Sequence, residues 1–253
     1  MEEDRFILGL NNVPLGIYMK QDILGSALLD YFNGEREAVI LVESDLTETE
    51  ELPAAHFFRD FRDMPSLEQK ALSLCQGKVA DLGAGGGSHA LVLQERLADV
   101  TAYDISAGAC QVMKLRGVKN PVHADFCQLG NEQYDTILML MNGIGLVGDL
   151  EGLSDFLARI KDNLKPGGRI IADSSDISYM FYDEDGYLCL NLNDKYHGVV
   201  NYQMNYKGRS GAPFNWLFVD YPLLEDYAVK NGFECRFIQE DDHFHYLVEL
   251  RLR

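Results

Sequence analysis

The amino-acid sequence predicts an α/β fold in which a doubly wound, mostly parallel sheet is covered by helices on both faces. From Lys78 onward, apolar strand-like segments alternate with amphipathic helical segments. The strands are apolar along nearly their whole length, which is typical of parallel strands buried on both sides. The chain has 253 residues, of which 47% are hydrophobic, and this is enough to form one large core.

Residues 1–77 precede this alternation and are expected to form an N-terminal extension, or lid, that packs on the core. Their pattern is less regular. Ser66 and Gln69 are predicted to form a capping box at the start of the second helix. In chain order, the predicted segments are a helix at 22–32 ended by Asn33-Gly34, a strand at 38–42, a solvated loop at 43–51 and a helix at 65–77.

Residues 78–253 are expected to form the core domain, and its first part contains five strands. An amphipathic helix follows each of the first, second and fourth strands. The strands are predicted at 78–82, 99–106, 121–126, 134–140 and 169–175, and the helices at 88–97, 107–117 and 149–164, with Gly167-Gly168 after the last helix.

After the fifth strand the pattern changes to an antiparallel meander. In 198–206 the apolar residues alternate with Asn201, Gln203 and Asn205, so one face of the strand is apolar and the other polar. The segments 187–193 and 214–220 alternate in the same way, and we treat about 178–214 as an insertion. A helix from Pro222 to Asn231-Gly232 and strands at 233–239 and 245–252 complete the chain.

Charge and cysteine content limit the classes of function. The chain has 40 acidic and 22 basic residues, a formal charge of −18, which opposes binding to nucleic acid or to an anionic membrane surface. There is no apolar stretch long enough to span a bilayer, and the acidic start is not that of a signal peptide. The five cysteines, at 75, 110, 127, 189 and 235, form no C-x-x-C pair, which predicts buried thiols in the cytoplasm and no metal site.

The stretch VADLGAGGGSHALVL at 79–93 places a glycine turn after the first core strand. Such a turn lets the backbone approach a ligand, and the next helix offers free N–H groups. A phosphate-binding lysine is absent, and Ser88 stands where a dinucleotide turn has its third glycine. Asp81 would repel a pyrophosphate but attract an ammonium group. Asp104, at the end of the second strand, can accept hydrogen bonds from a ribose diol. These features together fit S-adenosylmethionine (SAM).

Five segments together resemble the motifs of the class I SAM-dependent methyltransferases. They are VADLGAGGGS, YDIS, HADF, YDTILMLMNGIG and LKPGGRIIAD, in this order within about 78–176. The resemblance implies a seven-stranded sheet whose last strand is antiparallel, with SAM as cofactor. It also implies that Asp104 binds the ribose, that Asp125 lies near the adenine amine and that Phe126 lies against the adenine ring.

The full set of predicted cofactor contacts extends this resemblance by residues near the motifs. Arg59 is a candidate partner for the SAM carboxylate because it precedes the core within the lid, as does Arg62. The predicted contacts are Arg59, Asp81, Gly83, Ala84, Gly85, Asp104, Ile105, Asp125, Phe126, Met141 and Asn142.

No catalytic dyad or triad is evident, and the candidates for catalysis are Asn142, Asp173 and His197. Asp173 could hold a substrate amine, accept a proton or cap a loop, and Asn142 could equally be a turn residue. His197 could act as a base if the meander covers the site. Relatives that methylate nucleobase amines have prolines and an aromatic residue after this position, whereas here Gly143 follows Asn142, which disfavours that substrate.

The leading functional hypothesis is a cytoplasmic methyltransferase that acts on a small-molecule acceptor, as a monomer or homodimer. Transfer from a sulfonium requires orientation above all, which explains the absence of obvious acid–base machinery. A protein methyltransferase is the nearest alternative. An NAD-dependent oxidoreductase and a non-catalytic SAM-binding protein are alternatives from other classes.

Overall fold

The computed structural model describes residues 22–97, 99–126, 128–183, 185–189 and 195–253. The α-helices are α1 (Ile23–Phe32), α2 (Ser66–Leu74), α3 (Ser88–Arg96), α4 (Ala107–Arg116), α5 (Leu150–Arg159) and α6 (Tyr221–Lys230). The strands are β1 (Val39–Ser44), β2 (Glu50–Pro53), β3 (Val79–Leu82), β4 (Val100–Asp104), β5 (Pro121–His123), β6 (Tyr134–Met139), β7 (Leu164–Ser175), β8 (Val199–Tyr206), β9 (Arg209–Ser210), β10 (Phe214–Leu217), β11 (Phe233–Glu240) and β12 (His245–Leu252). Short 3₁₀ turns occupy Ala54–Phe58, Phe61–Asp63, Gly143–Val147, Ile160–Asn163 and Ser178–Phe181.

The predicted α/β fold is confirmed. Seven strands form the main sheet in the order β11-β12-β7-β6-β3-β4-β5, and β12 is antiparallel to its neighbours. Apolar side chains fill both faces. Leu153, Phe156 and Leu157 of α5 pack on one face, and Leu93 of α3 and Met113 of α4 pack on the other. The carboxyl ends of β3, β4, β6 and β7 therefore meet at one edge, where ligands bind in such sheets.

Three local expectations are corrected. The capping box is absent because Pro65 takes the N-cap position of α2, and the Gln69 amide donates instead to the Met64 carbonyl at 2.8 Å. The same helix ends at Leu74, before the predicted Gly77. The β7 strand begins at Leu164, so the Gly167-Gly168 pair lies inside the strand and does not separate it from the preceding helix.

A second sheet joins two segments that the sequence pattern treats separately. Strands β1 and β2 of the N-terminal third pair with the meander, in the order β10-β8-β1-β2, and β9 pairs with β8. The loop predicted at 43–51 is thereby shortened, because Glu43 lies in β1 and Glu50 begins β2. Of the strand predicted at 187–193, residues 190–193 lie outside the described part, and Leu188 makes one isolated bridge with Tyr182. We call this second sheet the roof sheet.

The roof sheet lies over the N-terminal helix at one end and over the ligand edge of the main sheet at the other. Ile40, Met204 and Tyr206 belong to the same apolar cluster as residues of α1. At the other end, Trp216 of β10 packs on Gly145, where an added Cβ would lie 1.9 Å from the indole Nε1. The meander therefore lies where it could form a wall of a ligand site at this edge, as expected.

Helix α1 is anchored to the core by one carboxylate. Asp22 caps α1 by accepting a hydrogen bond from the Gly25 N–H at 2.8 Å. Its other oxygen accepts hydrogen bonds from the Ser106 hydroxyl at 2.8 Å and from the Gly108 N–H at 2.9 Å, at the start of α4. Two positive helix N-termini therefore share the negative charge of one side chain, which favours close approach of the two helices.

The cysteines only partly follow the prediction. Cys75, Cys110 and Cys235 are buried and reduced, but Cys189 is exposed, and Cys127 lies outside the described residues. Among the helices of the described ranges, none combines the length and apolar character that a membrane crossing requires.

Candidate functional site

The glycine turn connects β3 to α3 at the ligand edge of the main sheet. Gly83, Gly85 and Gly87 have φ values of +73°, +54° and +80°, a left-handed region that strongly favours glycine. The N–H groups of Gly83 and Ala84 donate to the Tyr103 carbonyl at 2.9 and 3.0 Å, which fixes the turn against β4. The N-terminus of α3 begins directly after the turn and faces the same region.

Asp104 lies beside this turn and is buried. One carboxylate oxygen accepts a hydrogen bond from the Gly85 N–H at 2.7 Å, and the other from the Ser106 N–H at 2.8 Å. Burial raises the pKa of Asp104, although these two hydrogen bonds act in the opposite direction. The cap of α4 is Ser106, so Asp104 is not the N-cap. Each oxygen retains acceptor capacity, which suits two ribose hydroxyls.

We expect the substitution Asp104→Ala to weaken the binding of S-adenosylhomocysteine, the demethylated form of SAM, by at least about tenfold. The reason is the loss of charge-assisted hydrogen bonds to the ribose. Calorimetric titration of the purified variant measures the change. Asp155→Ala, on an exposed part of α5, serves as a control with unchanged affinity. Unchanged binding in the Asp104 variant would remove this residue from the site.

Asp81 is the acid that precedes the turn, and it is fully buried. Its Oδ2 atom has no hydrogen-bond partner within the described part of the chain. Burial raises its pKa to about 6, the charge of Asp104 adds to this effect, and His89 and a hydrogen bond with the Ala90 backbone oppose it. Buried polar atoms are normally paired, so the unpaired Oδ2 atom makes Asp81 a candidate contact for a hydrogen-bond donor of a ligand, although Asp81 itself does not line the concave pocket beside the turn.

A concave pocket joins the turn to the N-terminal third. Of the predicted cofactor contacts, Arg59, Gly83, Ala84, Gly85 and Met141 line it together. The complete lining is His56, Phe57, Arg59, Gly83, Ala84, Gly85, Gly86, Ser88, His89 and Met141. His56 and Phe57 are not predictable from the sequence, because the 3₁₀ turn that carries them has no local signal for proximity to the core.

The turn after β6 has a strained backbone. Met141 and Asn142 adopt φ values of +66° and +56°, which are uncommon for residues other than glycine. Asp173 of β7 holds this turn, because its two oxygens accept hydrogen bonds from the N–H groups of Gly143 at 2.8 Å and Met141 at 3.1 Å. The Ser175 hydroxyl donates to the Asn142 amide oxygen. Asp173 and Asn142 therefore shape the turn where β6 and β7 end.

Burial raises the pKa of Asp173 to about 6, in opposition to its hydrogen bonds with the turn backbone. With both oxygens engaged, this carboxylate is placed to position the turn. His197, the third catalytic candidate, contacts Tyr196 and Phe181 at ring distances of 4.4 and 5.3 Å, and none of these three residues lines the pocket.

The remaining predicted contacts lie next to β4 and β5. Ile105 is 72% exposed directly after Asp104, and its carbonyl is 2.9 Å from the His123 Nε2. Asp125 and Phe126 are partly buried, and the Phe126 ring lies 5.8 Å from that of Phe156. The structure therefore places them near the carboxyl ends of β4 and β5 but outside the pocket lining. Within the described ranges, no group of three or more His, Cys, Asp or Glu side chains could hold a metal ion.

Comparisons with known proteins agree on the fold. A family model for a methyltransferase domain matches residues 80–172. A SAM-dependent methyltransferase from Bacteroides fragilis, with S-adenosyl-L-homocysteine bound, is 39% identical. The alignment covers 92% of this chain and 95% of that one, with a TM-score of 0.86. No curated protein sequence matches.

More distant solved structures share the fold alone. The amino pentose methyltransferase CalS10 from Micromonospora echinaspora is 14% identical, with 78% of this chain and 94% of that chain covered and a TM-score of 0.56. A SAM-dependent methyltransferase from Clostridium acetobutylicum is also 14% identical, with 76% and 93% coverage and a TM-score of 0.53.

Proposed function

The chain belongs to the class I SAM-dependent methyltransferases, and on this premise we propose that it transfers the methyl group of SAM to a small-molecule acceptor. The roof sheet is the observation that supports this acceptor class. Trp216 rests on Gly145 in the turn after β6, so β10 covers this turn. A small acceptor can be enclosed under such a cover, whereas a polymer requires an open groove.

Two further observations support the same choice. The formal charge of −18 opposes a nucleic-acid substrate. CalS10, with which this chain shares its fold, is an amino pentose methyltransferase, so the fold accommodates small acceptors. The free, buried thiols of Cys75, Cys110 and Cys235 also support a reducing, cytoplasmic location.

The residues present fit the chemical groups of SAM. The unpaired Asp81 oxygen suits the ammonium group, Arg59 suits the carboxylate, and Asp104 suits the ribose diol. The glycine turn presents backbone without side chains to the pocket, because Gly83 and Gly85 line it in left-handed conformations. We assign the adenine to the segment that contains Asp125 and Phe126.

When bound, SAM supplies a methyl group already activated by the positive sulfur. The contribution of the protein is then orientation and exclusion of water, and orientation can account for about 7–11 kcal/mol of a barrier. Asp173 and Ser175 hold the turn of Met141 and Asn142 in one strained conformation. This turn and the roof sheet together align the acceptor with the cofactor. A base is required only for an acceptor that arrives protonated, and His197 remains a candidate.

Incubation with SAM that carries a labelled methyl group tests the proposal. Separate metabolite, peptide and RNA pools are offered, and we expect label in the metabolite fraction alone. Label in the peptide fraction would support the protein methyltransferase alternative, and binding of SAM without transfer to any pool would support the non-catalytic one. A parallel titration with NAD is expected to show no binding.

A further inference from the structure

A buried ionic cluster lies behind the pocket and joins α2 to α3. The Nη2 atom of Arg59 donates to both carboxylate oxygens of Glu68, at 2.8 and 3.0 Å. The same carboxylate is 2.8 Å from the Nε2 atom of His89. The side chains of Arg59, Glu68 and His89 are only 14%, 7% and 8% exposed. Glu68 is therefore the shared partner of two cationic or potentially cationic groups.

The two partners of Glu68 line the pocket, but Glu68 itself does not. Arg59 also donates from Nε to the His56 carbonyl at 2.9 Å. Its hydrogen bonds to the described residues use Nε and Nη2, so Nη1 is available to a ligand carboxylate. The charges of His89 and Asp81 attract each other. His89 lowers the pKa of Asp81, and Asp81 raises the pKa of His89.

The charges of the cluster support each other. Burial alone would raise the pKa of Glu68, but the hydrogen bond with His89 and the charges of His89 and Arg59 lower it below its ordinary value. Burial alone would lower the pKa of His89, but Glu68 and Asp81 raise it. Buried ion pairs often add little net stability, so their presence beside a ligand pocket points to a role in positioning.

We propose that Glu68 is a positioning residue for the amino-acid end of SAM: it holds Arg59 toward the cofactor carboxylate and His89 beside Asp81, which faces the ammonium group. This inference rests on the cofactor contacts given under the proposed function. It assigns to α2, outside the glycine-turn motif, a part in cofactor recognition. The adenosine end of the cofactor, at Asp104, lies outside its reach.

Two ligands separate the two ends of the cofactor. S-adenosylhomocysteine contains the amino-acid group, whereas 5′-methylthioadenosine has the adenosine and sulfur without it. In Glu68→Gln we expect the affinity for S-adenosylhomocysteine to fall at least about tenfold, because Arg59 and His89 lose their charge-assisted partner. The affinity for 5′-methylthioadenosine should change less than about twofold. Calorimetric titration measures both.

A matched control is available elsewhere in the chain. Glu249 forms a similarly buried pair with Arg169, at 2.8 Å, with side-chain exposures of 4% and 13%. Glu249→Gln should leave the affinity for both ligands unchanged. If Glu68 acts through Arg59, then adding Glu68→Gln to an Arg59→Gln variant should lower the affinity for S-adenosylhomocysteine much less than Glu68→Gln lowers it in the wild-type protein. If Glu68→Gln is poorly folded, Arg59→Gln is the second variant: it should lose affinity for S-adenosylhomocysteine but not for 5′-methylthioadenosine, and equal losses for both ligands would overturn the inference.

Two outcomes would overturn the inference. Equal losses for both ligands in Glu68→Gln would mean that Glu68 supports the fold without acting on the amino-acid end, and unchanged affinity would remove it from recognition. Failure of the proposed acceptor class is distinguishable, because these titrations contain no acceptor. Wild-type protein that binds S-adenosylhomocysteine but methylates no small molecule would refute only the acceptor class.

Discussion

Gly108→Ala is expected to reduce the free energy of unfolding by about 3 kcal/mol and the affinity for S-adenosylhomocysteine by about tenfold. A Cβ at this position would lie 2.6 Å from the Gly25 Cα and 2.7 Å from its carbonyl carbon. Because both contacts are with the backbone, no side-chain rotation can relieve them. Helices α1 and α4 must separate, and the hydrogen bonds of Asp22 with the start of α4 are then lost.

The affinity changes because Ser106 and Asp104 are adjacent to the contact. The Ser106 N–H donates to Asp104 at 2.8 Å, so displacement of the start of α4 moves the carboxylate assigned to the ribose. Urea denaturation and calorimetric titration measure the two effects. Gln111→Ala, at an exposed position of the same helix, is the control for a simple helix substitution. An unfolding free energy equal to that of the wild type would show that the two helices can part without loss.

Asp81→Asn should have two opposite effects: greater stability without ligand and weaker ligand binding. The folded-state pKa of Asp81 is raised to about 6, so ionisation is less favourable in the folded state than in the unfolded state. Stability from this group is fully present below the unfolded pKa of 3.8 and is lost as the pH rises through about 6. At pH 8 the neutral amide should therefore stabilise the protein by about 1–3 kcal/mol.

The gain should disappear near pH 4, where Asp81 is neutral in the folded protein, and thermal unfolding at the two pH values measures it. The affinity for S-adenosylhomocysteine should fall at least about tenfold, because the ammonium group loses a charged partner. Ser73→Ala, at an exposed position of α2, is a control that should change neither quantity. A variant that is less stable at pH 8 would mean that the Asp81 Oδ2 atom also has a partner in the folded protein and is not kept for the ligand.

The sequence predicted the order of elements in 78–176 well because the signals there are local. The strands are apolar along nearly their whole length, and the glycine turn, Asp81 and Asp104 are close to one another along the chain. The roof sheet was not predictable, because the pairing of Leu41 with Asn205 depends on contacts distant in sequence. The left-handed conformation of Met141 was equally hidden, since it accompanies hydrogen bonds that the turn N–H groups donate to Asp173, on another strand.

The lid predicted for residues 1–77 shows the same contrast. Periodicity located α1 and the strand at 38–42, but it could not show that Arg59 reaches the glycine turn or that Glu68 pairs with His89. The capping box at Ser66 failed for a simple reason: Pro65 already occupies the position that the motif requires. The assignment of individual side chains to the cofactor stays a prediction for titration to test.

The pairing of strands in the roof sheet also determines when this sheet can form during synthesis of the protein. Asn205 of β8 bonds to Glu43 of β1 across 162 residues of chain, at 3.1 Å. Such distant pairings form late, because closure of a long loop must precede the contacts that stabilise it. On the ribosome, β1 and β2 emerge early but wait for β8 until all the parallel strands have been made. The roof sheet is therefore completed only after the main sheet beneath it has been made. Until then, the edge of β1 that later pairs with β8 is exposed to association with other chains.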